Sequence, residues 1–116
     1  MQEHAVAAYR TARYCTLGPD AEAAREAWVA CHGYGQLTPA FLRAFEPIAE
    51  PGRLIVAPEG LSRFYLPGHR EVGASWMTKE AREDEIDDYV RWIDTAYADA
   101  LTRAHTPQPE RLVALG

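Results

Sequence analysis

Four consecutive residues, His32-Gly33-Tyr34-Gly35, have the make-up of a sharp backbone corner. Glycine on both sides of Tyr34 lets the chain turn tightly and brings main-chain N–H groups to the surface. N–H groups aimed at one point stabilise the negative charge that develops on a carbonyl oxygen during acyl transfer. The backbone N–H groups of this corner are candidates for that task, and His32 and Gly35 would support the loop. A second feature closes the sequence, where the apolar run Arg111-Leu112-Val113-Ala114-Leu115 leads into Gly116. Strand, Gly, any residue, Ser, any residue, Gly and helix is the order of a nucleophile elbow. On that pattern Gly116 is the opening glycine, and a serine would stand two positions beyond it. The chain's own serines, Ser62 and Ser75, fall in an irregular segment and not on an elbow.

The corner needs a strand before it and a helix after it. Trp28-Val29-Ala30-Cys31-His32 is an unbroken apolar run, the pattern of a strand buried on both faces. Thr38-Pro39 offers an N-cap followed by proline at the first helical position, with Phe41, Leu42, Phe45 and Ile48 at helical spacing behind it. Pro47 limits that helix. Leu54-Ile55-Val56-Ala57 reads as the next buried strand, stopped by Pro58. From Pro58 to Met77 no period is visible, and the segment reads as a long loop carrying Phe64, Tyr65 and Trp76. Thr78 can cap a long helix with Ile86, Val90, Ile93, Tyr97 and Leu101 on one stripe; Trp92 lies off it. At the front, Ala5 to Leu17 reads as one or two antiparallel strands ending at the turn Gly18-Pro19-Asp20. Ala21 to Arg25 is helix-prone but too short to stand alone. Apolar strands alternating with amphipathic helices predict an α/β fold with a mostly parallel sheet and crossover helices.

Composition sets the outer bounds. The chain has 116 residues, 47 % hydrophobic and 25 % charged, which is globular composition in an amount suited to one domain. A formal net charge of −5 and the lack of any basic run argue against a nucleic-acid partner. No apolar stretch approaches spanning length, and the opening MQEHAVAAYR lacks the basic start and apolar core of a secretion signal. A cytoplasmic location is therefore expected. Cys15 and Cys31 form neither a disulfide framework nor a metal pattern and read as buried, reduced thiols. His4, His69 and His105 show no metal-ligand spacing, so no metal and no organic cofactor are expected. The acidic cluster Glu83 to Asp88 reads as a solvated face at the positive end of a helix dipole.

Taken together, HGYG after WVAC, the strand-like LIVAPEG, the segment GASWMTKEAREDEIDDYVRWID and the terminal PERLVALG resemble the phospholipase/carboxylesterase family of α/β-hydrolases. The resemblance runs from about Trp28 to Gly116 and rests on the order and spacing of those four pieces. It implies a partial α/β-hydrolase fold, with residues 1–116 as the N-terminal portion of a single domain. It also implies hydrolysis of small carboxylic esters or thioesters by a Ser-Asp-His triad. No triad residue is carried over: all three would follow Gly116, so the chain alone is expected to be inactive. The resemblance implies that Tyr34, through its backbone N–H, and Gly33 form the oxyanion hole, that Trp76 is an aromatic at the acyl pocket, and that Phe64 and Tyr65 belong to the substrate loop. That loop departs from the family pattern, and Gln36 stands where an acidic or amide residue is common.

Blander readings stand beside these. His32 tempts as a catalytic base, yet it precedes the nucleophile in chain order and suits a structural hydrogen bond. Tyr34 can simply pack over the sheet end, and Trp76 can be core. The last strand is apolar throughout and is expected to be interior, covered on both faces. A following segment, a partner chain or a second copy in a homodimer would supply that cover. A non-catalytic α/β domain using the same glycine loop for a ligand or partner is the alternative. A nucleotide-binding domain is disfavoured, since neither GxGxxG nor GxxxxGK[ST] follows any strand.

Overall fold

The computed structural model describes residues 1–19 and 23–116. Asp20, and with it the end of the expected turn, and Ala21 and Glu22 of the helix-prone patch lie outside the described residues. The elements in order are β1 (Tyr14–Leu17), β2 (Glu26–Ala30), α1 (Thr38–Arg43), β3 (Arg53–Pro58), β4 (Ser62–Tyr65), β5 (Val72–Ser75), α2 (Arg82–Arg103) and β6 (Arg111–Leu115). Four strands form one sheet in the order β1-β3-β2-β6. β3 pairs with β2 and β2 with β6 in parallel, while β1 runs antiparallel to β3. The protein is thus mixed α/β with a mostly parallel sheet plus antiparallel strands.

β3 is the centre of the sheet. Leu54 to Ala57 are buried on both faces, as an unbroken apolar run demands. Ile55 and Ala57 face α1 together with Ala30 and Leu42, and Cys15, Leu17, Trp28, Phe41 and Phe45 close that layer. Leu54 and Val56 face the other way, against Ala24 and Ala100, with Tyr14, Leu101 and Ala104 around them. The two helices therefore sandwich one strand between two small cores.

Five expectations are corrected. The N-terminal segment forms one strand, not a hairpin: β1 crosses to β3, where its apolar residues meet the core, and residues before Tyr14 are irregular. β6 is a parallel strand, but it is an edge among the described residues, with Leu112 56 % and Leu115 41 % exposed. An apolar run reports strand type and cannot count neighbours. The supposed loop from Pro58 to Met77 contains a hairpin, β4 with β5. Leu66-Pro67-Gly68-His69 turns it, with Gly68 at φ 94° and the His69 N–H donating to the Leu66 carbonyl at 2.9 Å. That is type II turn geometry, which needs glycine at the third position. Neither helix has the cap expected of it. α1 starts at Thr38, with Leu37 before it and no side-chain cap; α2 starts after Ala81, and Thr78 bonds Glu85 and the Glu80 N–H outside the helix. The two cysteines are half-buried and free, with both thiols pushed up by burial.

α2 meets the sheet along the border of the expected stripe. Ala96 and Ala100 are its buried residues, Ile86, Ile93, Tyr97 and Leu101 are half-buried, and Val90 is exposed. Trp92, expected off the stripe, donates its indole N–H to the Glu59 carbonyl at 2.8 Å and lies 6.5 Å from the Tyr14 ring. Small residues at the contact let the helix lie close to β3. At the amino end of the strands, Arg53 bonds Glu26 at 2.6 Å and lies 4.5 Å from the centre of the Trp28 ring, closing that end of the sheet.

Two predictions follow from this packing. Ala96→Leu forces extra methylene groups between α2 and β3 and is expected to cost about 1–3 kcal/mol, read as a lower urea midpoint. Below its ordinary range the hydrogen bond from Arg53 holds the Glu26 carboxyl, and those from Tyr14 and then Arg103 hold Asp99. Folded values lowered in this way give stability that is present above the unfolded value and lost as pH falls through the folded one. Urea midpoints should therefore drop between about pH 6 and about pH 3, and Asp99→Asn should make the drop smaller.

Candidate functional site

β2 and β6 are parallel neighbours, so their carboxyl ends leave the sheet at the same rim. The ladder runs one step past the strands: the Cys31 N–H donates to the Leu115 carbonyl at 2.9 Å. This places the His32–Gly35 corner beside the end of β6.

His32 is 3 % exposed and fully engaged. Its Nε2 accepts the Gly60 N–H at 2.9 Å, so the proton sits on Nδ1, which faces the Gly33 carbonyl at 2.8 Å. The ring stacks on Trp76 at 5.0 Å, and the Trp76 indole N–H donates to the His32 carbonyl at 2.9 Å. Phe41 closes the other side, edge-on at 6.3 Å. A histidine whose Nε2 lone pair already binds a backbone N–H has none left for a substrate proton. Its work is to hold the end of β2 to the end of β3.

The corner is a four-residue turn with Gly35 at φ 79°. The Gln36 N–H donates to the Gly33 carbonyl at 3.2 Å, and the Gln36 side chain returns to accept the Gly33 N–H at 2.6 Å. The Gly35 N–H donates to the Ala74 carbonyl at 2.9 Å, and the Ala74 N–H to the Gln36 carbonyl at 3.1 Å. Gly33, expected as a second donor, is thus occupied by Gln36. Among the described residues, Tyr34 alone in this turn has a backbone N–H without a partner. Its side chain is 76 % exposed and lies against Phe64, ring centres 5.1 Å apart.

Two glycines outside the motif fix this geometry, and neither stood out in the sequence. A Cβ on Gly73 would lie 2.5 Å from the Gly35 carbonyl oxygen, and a Cβ on Gly60 would lie 2.5 Å from that of Ser75. The hairpin therefore meets the corner backbone to backbone. Glu59 was also missed. It is 2 % exposed, and its carboxylate accepts the Thr38 N–H at the start of α1 at 3.1 Å and bonds Arg13 at 2.6 Å. An acidic residue directly after an apolar strand was the available signal.

The expected pocket residues divide. Phe64 and Tyr65 border a shallow depression of about 320 Å³ with Arg63 and Val72. Trp76 is instead wedged between His32 and Tyr89, whose ring is 6.0 Å away. A larger open groove of about 660 Å³ runs between α1 and the hairpin, walled by Leu37, Ala40, Phe41, Leu66 and Val72, and it opens beside Gly35 and Gln36. Ser62 pairs across the hairpin with Ser75, and the Ser75 hydroxyl donates to the Met77 carbonyl at 3.1 Å. No serine–histidine hydrogen bond occurs among the described residues. They also hold no group of three or more His, Cys, Asp or Glu side chains able to bind a metal. No helix is long and apolar enough to cross a membrane among them.

No protein-family model matches the chain, and no curated protein is significantly similar to it. The functional reading therefore rests on the corner itself.

Gly73→Ala is expected to push the hairpin off the corner. Hydrogen exchange at the Gly35 and Ala74 amides should accelerate, with a stability loss of about 1–3 kcal/mol in chemical denaturation. Gly68→Ala alters the turn at the hairpin tip and should leave the Gly35 amide protected.

Proposed function

We propose that the chain carries the oxyanion-binding part of a serine hydrolase that cleaves small carboxylic esters or thioesters. On this reading it is the N-terminal portion of an α/β-hydrolase domain similar to the phospholipase/carboxylesterase family. The observation that carries the reading is the unpartnered Tyr34 N–H at the rim where β6 ends. The serine would stand two residues after Gly116, with the Asp and His of the triad further on. Attack by that serine on the substrate carbonyl gives a tetrahedral intermediate. Its oxyanion would be held by the Tyr34 N–H and by the N–H after the serine. The leaving alcohol or thiol takes the proton passed by the triad histidine, and water then releases the acid. His32 acts only as a brace for the corner, and Phe64 and Tyr65 border the approach to it.

A non-catalytic α/β domain is the second reading, favoured by the bare edge of β6. There the Tyr34 N–H would bind a ligand carbonyl, and the exposed Leu112 and Leu115 would meet a partner chain or a second copy.

A fluorophosphonate probe separates the two. A protein extending past Gly116 should be labelled, and the 116-residue chain should stay unlabelled. Labelling of the short chain, or silence of the longer one, would sink the hydrolase reading. In the longer protein, Tyr34→Pro removes the N–H and should lower kcat by about 10²–10³-fold. Tyr34→Ala keeps the N–H and should change kcat little.

A further inference from the structure

The segment leading into β1 runs beside the exit of β3. The Arg13 carbonyl accepts the Glu59 N–H at 3.1 Å, and the Arg10 guanidinium donates to the Leu61 carbonyl. These contacts enclose a cleft of about 240 Å³ bordered by Arg10, Arg13, Glu59, Gly60 and Arg63. Three arginines and one glutamate line it, on a chain whose formal net charge is −5.

That carboxylate is already committed. One Glu59 oxygen accepts the Arg13 Nε–H at 2.6 Å and the other accepts the Thr38 N–H at 3.1 Å. It neutralises Arg13 and leaves the Nη groups of that fork without a partner among the described residues. Arg10 and Arg63 form no ion pair among them. The cleft at the opposite rim makes the contrast. There Arg25, Arg53 and Arg111 are matched in number by Glu26, Glu50 and Glu110, and the site is balanced within itself. Three arginines bordering one concavity with a single, fully used acid leave an excess of positive charge and of planar N–H forks. Such forks match the oxygens of phosphate and carboxylate groups, and a concave wall concentrates their field.

We propose that this cleft binds a small oxyanion, the phosphate or carboxylate group of a small molecule. Arg10 and Arg63 supply charge without a paired carboxylate, and Arg13, held in place by Glu59, offers its Nη groups. Arg63 also borders the depression beside Phe64 and Tyr65, but anion binding in the cleft requires no ester hydrolysis.

Titration of the 116-residue chain with inorganic phosphate and, separately, with succinate at low ionic strength tests this by calorimetry and amide NMR. Saturable one-site binding of either anion is expected, with the Gly60 and Leu61 amides among those that shift. Tighter phosphate than succinate assigns phosphate chemistry, and the reverse assigns carboxylate; both support the site. Arg63→Gln and Arg10→Gln, exposed positions that leave the core intact, should each weaken binding about tenfold. Arg82→Gln, exposed at the start of α2, should leave it unchanged. No saturable binding of either anion, or an equal loss in Arg82→Gln, would overturn the proposal.

Discussion

A buried carboxylate at the exit of β3 ties the carboxyl rim together. Taking Glu59 out of water is costly unless both of its oxygens are used. Here Arg13 and the first N–H of α1 use them, so charge and helix end satisfy each other. The same residue offers its carbonyl to Trp92 of α2, and its neighbour Gly60 donates to His32. Both helices, the β1 side of the sheet and the end of β2 therefore converge on two consecutive residues. The corner at Gly33–Gln36 inherits its position from that junction.

The corner then spends most of its own polar groups on staying in place. Gln36 seals Gly33 from within the turn, and the hairpin seals Gly35 from outside it. One N–H is left over, and it belongs to the residue whose side chain points away into solvent. An amide of this kind, fixed by its neighbours and bonded to none of them, keeps its orientation before any ligand arrives. Preorganised donors act on developing charge without the cost of reorganising at the moment of reaction.

Much of the sheet was legible in the sequence because long-range order there follows from short apolar runs. β2 and β3 are unbroken and buried, and their parallel pairing needed only a helix between them. The hairpin was hidden for a physical reason. Arg63-Phe64-Tyr65 does not alternate, and β5 is mostly small residues whose pairing is fixed by contact with the corner. Pro67-Gly68 was the readable trace of it, a dipeptide suited to a type II turn. The stripe on α2 was legible, with Ile86, Ile93, Tyr97 and Leu101 half-buried along it, but its most buried edge was not, because Ile and Val outweigh alanine in any hydropathy pattern. Close packing selects small size instead, at Ala96 and Ala100. Within the site, HGYG announced a tight corner. The roles of Gln36, Gly60 and Gly73 depend on backbone contacts between distant segments, which no local pattern encodes.

The hairpin is attached to the corner largely through bare main chain, with Phe64 against Tyr34 as a side-chain contact. Gly73 and Gly60 make the joint, while Arg63 and Tyr65 are exposed on β4. Replacing those exposed residues changes the surface of the hairpin, yet leaves the backbone joint to the corner undisturbed. Shape at the joint and chemistry at the surface are thus written on separate residues of one hairpin.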